Sequence, residues 1–176
     1  MALLLGLCAV MPGRAADVDL LSVGVRARLG EKRVLGTVQP ESFRAADVAA
    51  TIRLPWEQPL PAGWQLGTRL LASAGILEGA GKAALVVALI PLLAIGTQGG
   101  RFTIDMGAGF ALLTRHRYAQ QDFGGPLQFA LTAGLSVPLH ERVGVGYRYL
   151  HYSDARAYGS GTIGADFHMV ELIYRF

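Results

Sequence analysis

The sequence predicts an all-β protein: an eight-stranded antiparallel transmembrane β-barrel of the outer-membrane type. The chain is 52% hydrophobic and only 16% charged, with 23 glycines in 176 residues, which is too apolar for an ordinary soluble domain. Its strongest apolar run, residues 83–96, contains Pro91 and is shorter than the roughly 20 residues that a membrane-spanning helix needs. Apolar and polar residues instead alternate in segments of about ten residues. Strands cross a bilayer without unpaired backbone groups only as a closed barrel.

Eight segments carry the alternation: residues 19–29, 47–56, 64–77, 83–97, 102–113, 127–137, 143–153 and 166–176. Residues of one parity share one face of a strand. For five segments the apolar rows are Leu21, Val23, Val25, Ala27 and Leu29; Val48, Ala50, Ile52, Leu54 and Trp56; Trp64, Leu66, Leu70 and Ile76; Phe102, Ile104, Met106, Phe110 and Leu112; and Leu127, Phe129, Leu131, Leu135 and Val137. The opposite rows carry glycine, hydroxyl, amide and charged residues, as fits the crowded lumen of a small barrel. Segment 83–97 is apolar on both faces, so its register stays open.

The last two segments place polar side chains at the end of apolar rows. These rows are Val143, Val145, Tyr147 and Tyr149 in the seventh segment and Val170, Leu172, Tyr174 and Phe176 in the eighth. The seventh row continues into His151 and Ser153, and the eighth shares its parity with Asp166. With both termini in the periplasm, the longer outer loops are 30–42, 114–126 and 154–163, with a shorter one at 78–82. The inner turns include 98–100 and 139–142. We therefore expect His151, Ser153 and Asp166 together on the lipid-facing surface, at the outer leaflet.

The N-terminus predicts export. An apolar stretch up to Met11 and small residues at 15–16 indicate a signal peptide over residues 1–16, followed by one barrel domain over 17–176, although no positive charge precedes the stretch. The single cysteine, Cys8, lies in this segment, so the mature chain would form no disulfide. A net charge of +3 without a basic run argues against nucleic acid. The four histidines lack metal-ligand spacing, so we expect no metal and no cofactor.

Residues 149–155, Y-L-H-Y-S-D-A, with G-A-D at 164–166 and the closing strand, resemble the lipid A 3-O-deacylase (PagL) family. The resemblance implies an eight-stranded outer-membrane barrel that hydrolyses the acyl ester at position 3 of lipid A. It further implies that Ser153 is the nucleophile, His151 the base and Asp166 the acidic residue of a membrane-facing triad. The expected localisation is the outer membrane of a Gram-negative bacterium, and the expected partner is lipid A in lipopolysaccharide. A homodimer is an open alternative to a monomer.

The chain departs from the family pattern at two candidate oxyanion-hole positions. Asp154 replaces the asparagine that follows the serine, and Thr162 replaces an asparagine linked to the oxyanion hole. An ionised carboxylate cannot donate a hydrogen bond, whereas the threonine hydroxyl can. In another outer loop, Arg115 and Arg117 are candidates for contact with lipid A phosphates, the alternative being a solvated loop.

Three further interpretations concern the remaining polar residues and the protein class. Arg148, Glu171 and Arg175 have the inward parity and predict an ion-pair network that fills the lumen. His168 follows Asp166 on the outer face and is interpreted as an interfacial residue. Besides an esterase, the sequence is compatible with a non-catalytic barrel that carries a degenerate triad, or with a soluble lipid-binding barrel whose apolar rows point inward.

Overall fold

The protein folds as a single closed β-barrel. The computed structural model describes residues 19–29, 40–98, 100–159 and 161–176; the predicted signal peptide with Cys8, most of the predicted loop 30–42 and two single loop residues lie outside them. The strands are β1 (Leu20–Arg28), β2 (Phe43–Leu60), β3 (Trp64–Gly79), β4 (Lys82–Thr97), β5 (Thr103–Leu113), β6 (Arg117–Tyr118), β7 (Gln121–Asp122), β8 (Leu127–Pro138), β9 (Val143–Ser153) and β10 (Ala165–Arg175). All but β6 and β7 form the barrel, in the order β1-β10-β9-β8-β5-β4-β3-β2. The eight-stranded antiparallel fold predicted from the sequence is confirmed.

Three features differ from the predicted segments. β2 runs from Phe43 to Leu60, beyond both predicted ends, and a register shift between Arg53 and Glu57 lets it continue to Trp64 on β3. The predicted outer loop 78–82 shrinks to the two-residue turn Ala80-Gly81, in which both residues have positive φ (49° and 69°). Two positive φ angles are the requirement of the tight hairpin turns that match strand twist. The predicted loop 114–126 contains the small hairpin β6–β7, which the sequence pattern did not reveal.

The apolar rows face outward. Leu85 and Met106 are each 59% exposed and Leu172 is 54% exposed. The structure also settles the register of β4, because its even-numbered residues from Ala84 to Ala94 are buried in the lumen and its odd-numbered ones are exposed or half-buried. Among the described residues, no helix is long and apolar enough to cross a membrane. The outward apolar band excludes the soluble barrel with inward apolar rows.

The end of the lumen next to the β6–β7 hairpin is filled by packed aromatic side chains. Phe43 packs edge-on against Tyr118 with ring centroids 5.1 Å apart, and it also contacts Phe123 and Phe167 at 5.9 and 6.1 Å. Tyr118 comes from the small hairpin β6–β7, and its side chain is fully buried, whereas the neighbouring Arg117 of that hairpin is exposed. The four rings are each at most 1% exposed, so they form a packed core at this end of the barrel.

Buried charges occupy the middle of the lumen. The Arg148 guanidinium binds both oxygens of Asp105 at 2.7 and 3.0 Å and Glu171 at 2.7 Å. Arg26 bridges Glu171 to Asp47, whose oxygens it binds at 2.5 and 2.9 Å. We call these five residues the lumenal network. It confirms the predicted pairing of Arg148 with Glu171 and adds charges from β1, β2 and β5.

Arg175 was wrongly predicted to join the lumenal network. Its guanidinium donates to the Gly100 carbonyl at 2.6 Å, at the barrel end where β10 finishes. It lines a polar cavity of about 350 Å³ there. Gly134 explains how Arg148 fits in the lumen instead: a Cβ at that position would lie 2.6 Å from the Arg148 Nη2 atom. Because Gly134 on β8 has no side chain, the Arg148 guanidinium fits in the middle of the lumen.

Candidate active site on the outward face of the barrel

The polar end of the outward surface is built by β9 and β10. β9 ends at Ser153 and β10 begins at Ala165, so residues late in one strand lie beside residues early in the other. The ladder pairs His151 directly with Asp166. Side chains directly opposite each other in an antiparallel pair have Cβ atoms about 4.5–5.5 Å apart, close enough for an imidazole to reach a carboxylate.

His151 and Asp166 form a hydrogen bond on this surface. The Nδ1 atom of His151 lies 2.7 Å from Oδ1 of Asp166, and the Asp166 side chain is 6% exposed. When the carboxylate is ionised it can only accept, so Nδ1 carries the proton and Nε2 keeps its lone pair. The arrangement therefore orients an imidazole whose other nitrogen is available as a base.

Ser153 lies two residues beyond His151 in the same outward row and is half-buried. Two residues of one strand are spaced about 6.6 Å apart along the chain, which leaves a flexible hydroxyl and an imidazole edge close to each other. Within the described part of the chain, neither the Ser153 hydroxyl nor Nε2 of His151 forms a hydrogen bond. In the absence of substrate, hydrogen bonds between nucleophile and base are often long and shorten when the reactive complex forms.

Gly164 shapes the space beside these two residues. A Cβ at Gly164 would lie 3.2 Å from both the His151 Cε1 and the Ser153 Cβ atoms, and 2.8 Å from the Tyr152 carbonyl oxygen. Gln121 holds the segment in place from inside, since its amide donates to the carbonyls of Ile163 and Gly164 at 2.6 and 3.2 Å. The backbone thus approaches the Ser153–His151 pair at a distance that only glycine allows.

Comparison with known families adds to this geometry. A sequence profile of the family described as lipid A 3-O-deacylase (PagL) matches residues 44–175 of the chain. The chain belongs to the lipid A 3-O-deacylase (PagL) family.

Known structures agree with this assignment at the level of the fold. The crystal structure of the outer membrane enzyme PagL superposes with a TM-score of 0.70 and 17% sequence identity, over 88% of this chain and 99% of that chain. At this identity the likeness shows the fold alone. A search of curated proteins finds no match.

The two positions where the chain departs from the PagL family pattern contact each other. The Thr162 hydroxyl donates to Oδ1 of Asp154 at 2.9 Å, and the amides of Arg156 and Tyr158 donate to the same carboxylate at 3.0 and 3.1 Å. Burial disfavours the charged form of Asp154, but these three hydrogen bonds outweigh it and hold the pKa of the carboxyl below its usual value. Asp154 is therefore ionised at neutral pH and fastens the loop 154–163.

The loop with the candidate phosphate ligands packs against this one. A Cβ at Gly124 would lie 2.5 Å from the Thr162 methyl group and 3.0 Å from Oδ2 of Asp154. Arg117 is already paired with Asp122, which it binds at 2.5 and 2.8 Å. Arg115 is exposed and forms no hydrogen bond or ion pair with the described residues. Of the two arginines, Arg115 is the one whose charge is available.

His168, interpreted from the sequence as interfacial, is covered by tyrosine side chains on the outward face. It is 7% exposed, its Nδ1 atom contacts the Tyr147 hydroxyl, and its ring stacks on Tyr147 at 6.0 Å. It does not share Asp166 with His151. Among the described residues, no group of three or more histidine, cysteine, aspartate and glutamate side chains could hold a metal ion.

Sequence reasoning missed two residues of this site. Tyr149 was given no role in the site, although it lies in the apolar row and in the family-like stretch, yet its hydroxyl donates to Asp166 Oδ1 at 2.5 Å. Gly164 was noted only as part of the family motif. The parity that Tyr149 shares with His151 was the available signal in the sequence. Parity places both on one face, but the contact of Tyr149 with Asp166 depends on the register between β9 and β10.

Proposed function

We propose that this chain is an outer-membrane esterase that removes the 3-O-linked acyl chain of lipid A, with Ser153 as nucleophile, His151 as base and Asp166 as the acidic member of the triad. The observation that carries the proposal is the His151–Asp166 hydrogen bond of 2.7 Å on the lipid-facing surface, beside Ser153, in a chain of the PagL family. Polar and ionisable groups facing lipid are costly, so a cluster of one hydroxyl, one imidazole and one carboxylate supports a functional role.

The surface beside the triad suits an acyl chain. On β8, Phe129 is the register partner of Ser153 and Leu131 that of His151, and they are 44% and 50% exposed. The ring of Phe110 on β5 lies 5.3 Å from that of Phe129 and continues the apolar surface. An acyl chain lying on this surface within the outer leaflet would present its ester carbonyl near Ser153.

In the proposed mechanism, His151 Nε2 takes the proton of Ser153 as Oγ attacks the ester carbonyl carbon. Asp166 keeps Nδ1 protonated and stabilises the imidazolium that forms. When the tetrahedral intermediate collapses, the bond from the carbonyl carbon to the sugar oxygen breaks and His151 returns the proton to that oxygen. Water then attacks the acyl-Ser153 ester with His151 again as base, which releases the fatty acid and restores the serine.

Stabilisation of the oxyanion is the weakest part of this site. Ionised Asp154 cannot donate, and the Thr162 hydroxyl would have to turn from Asp154 towards the oxyanion. Losing one such donor costs roughly 100- to 1,000-fold in rate. A slow enzyme is the expected consequence.

Arg115, at the outer rim, is the better candidate of the two arginines for a lipid A phosphate.

Mass spectrometry of lipid A tests the proposal. Cells that express the chain should accumulate lipid A lighter by the 3-O-linked acyl chain, and cells that express Ser153→Ala at equal levels in the outer membrane should not. Unchanged lipid A with correctly inserted wild-type protein would favour the non-catalytic barrel with a degenerate triad.

A further inference from the structure

Two tyrosines on the outward face of β9 have different neighbours. Tyr147 and Tyr149 are two residues apart and both half-buried. The Tyr149 hydroxyl donates to Oδ1 of Asp166 at 2.5 Å, whereas the Tyr147 hydroxyl contacts Nδ1 of His168. We propose that Tyr149 is a positioning residue of the site, which holds the Asp166 carboxylate in place and in its ionised form for His151. This inference rests on the proposed function.

The strand register explains how Tyr149 reaches Asp166. His151 is the direct register partner of Asp166, and Tyr149 is the partner of His168, one step diagonal to the carboxylate. Diagonal neighbours are about 7–8 Å apart, a distance that a tyrosine spans and shorter side chains do not. Both donors come from β9 and meet at the same oxygen of Asp166. The carboxylate is therefore held from two sides by one strand.

The surroundings make this contact important. An ionised carboxylate is unfavourable in a low-dielectric environment unless donors stabilise it, and a protonated Asp166 would no longer stabilise the imidazolium of His151. The neighbouring outward residues supply no charge: they are Leu131 and Ala133 on β8, Ala27 on β1 and Leu29 just beyond the end of β1. The titratable side chains of the described part that face Asp166 or Tyr149 are Tyr147, His151 and His168.

Tyr149 acts through Asp166, so its effect should appear in proton equilibria. With the tyrosine hydroxyl removed, the carboxylate interacts more strongly with the imidazolium of His151 and is itself protonated more easily. The active state has a neutral His151 and an ionised Asp166, and it is lost as pH falls. Both changes make this loss begin at a higher pH. A tyrosine that only fills space would leave the proton equilibria unchanged.

Tyr149→Phe and the matched control Tyr147→Phe test this. Each removes one oxygen from the same row of the same strand, but only the first contacts Asp166. In Tyr149→Phe we expect kcat for deacylation to fall by roughly 10-fold, as for loss of a hydrogen bond to a charged group, with little change in KM. The acidic limb of its pH–rate profile should move to higher pH. Tyr147→Phe should keep kcat within about 2-fold and leave the profile unchanged.

A readout that does not need lipid A separates this inference from the proposed function. NMR of histidine-labelled protein, with the His151 signal assigned through His151→Gln, should show His151 titrating at higher pH in Tyr149→Phe than in wild type. Wild-type protein that leaves lipid A intact but shows this shift would overturn only the esterase proposal. An unshifted His151 titration, or equal shifts in both tyrosine variants, would overturn the role of Tyr149.

Should Tyr149→Phe fail to assemble, fluorotyrosine incorporated at this position alone keeps the ring and makes the hydroxyl a stronger donor. The His151 titration should then move in the opposite direction, to lower pH. No movement in that protein would also overturn the inference.

Discussion

Two polar regions lie on opposite faces of the same strands and differ in how completely their groups are paired. The lumenal network uses Arg148 of β9 and Glu171 of β10, and each of its charges has an opposite charge within 3.5 Å. The outward cluster, defined as Tyr149, His151, Ser153 and Asp166, leaves the Ser153 hydroxyl and His151 Nε2 without a hydrogen bond to any described residue. A saturated network fixes the barrel, whereas an incompletely paired cluster has groups available for chemistry.

This difference matters because each region contains a buried charged residue. Arg148 and Asp166 are 4% and 5% exposed, so burial alone does not distinguish structural charges from reactive ones. What distinguishes them is the number of donors and acceptors still unused. If this is so, a change in the outward cluster should leave the stability of the barrel intact, and a change in the lumenal network should leave catalysis intact.

The largest expected effect is that of His151→Gln on activity. Ser153 loses its base, and general acid–base catalysis contributes roughly 100- to 10,000-fold, so the rate of deacylation should fall by up to about 10⁴-fold. The barrel should keep its stability, within about 0.5 kcal/mol, since the imidazole lies at the surface. Lipid A mass spectrometry and urea unfolding in detergent measure the two quantities. A large loss of stability would contradict the hypothesis that the outward cluster does not stabilise the barrel.

Arg148→Met should show the reverse pattern. It leaves Asp105 and Glu171 buried without their shared cation, so the free energy of unfolding should fall by about 3–5 kcal/mol. Molecules that still fold should deacylate at the wild-type rate. Arg175→Met is the matched control, because it removes a single hydrogen bond to a carbonyl and should cost at most about 1.5 kcal/mol. Equal losses in the two variants would contradict a central role for the lumenal network.

Gly164→Ala should lower activity without unfolding the barrel. The new methyl group would lie 2.8 Å from the Tyr152 carbonyl oxygen, so the backbone would have to shift, and 3.2 Å from His151 and Ser153. Displacing the reacting groups by fractions of an ångström should reduce kcat by roughly 10-fold. Gly161→Ala is the control, since a Cβ there meets nothing within 4 Å of the described atoms. Single-turnover kinetics of the two variants measure this effect. Equal rates would show that the close approach of the Gly164 backbone to Ser153 and His151 has no role in catalysis.

The smallest effect concerns pH and the loop 154–163. The pKa of Asp154 is lowered in the folded protein, so its stabilising effect is fully present above the ordinary value of 3.8 and is lost as pH falls through the folded value. Hydrogen exchange at the amides of Arg156 and Tyr158, corrected for intrinsic rates, should accelerate in that range. Asp154→Asn should remove the pH dependence of exchange at these two amides. It should not change the pH dependence of exchange at the Gly124 amide, which donates to Asp122. If the two amides keep their protection down to pH 2, Asp154 does not fasten the loop.

Much of the fold follows from the sequence because strand periodicity is local. The two-residue alternation identified eight strands and their outward faces, and parity alone placed His151, Ser153 and Asp166 on one surface. β4 was the exception, since Ile90 and Leu92 are as apolar as Leu89 and Leu93. Its register depended on its pairing with β3 and β5, which places Ala94 opposite lumenal Asp105.

The sequence by itself thus determined the barrel and the direction of its faces, because both depend on the period of a single strand, and its resemblance to the PagL family supplied the three residues of the proposed triad. Only the tertiary structure decided which charges meet. It joined Arg26 and Asp47 to the lumenal network, directed Arg175 to the Gly100 carbonyl, paired Thr162 with Asp154 and brought Tyr149 to Asp166. These contacts join different strands and loops, so they depend on register and loop packing, which no single stretch of sequence encodes.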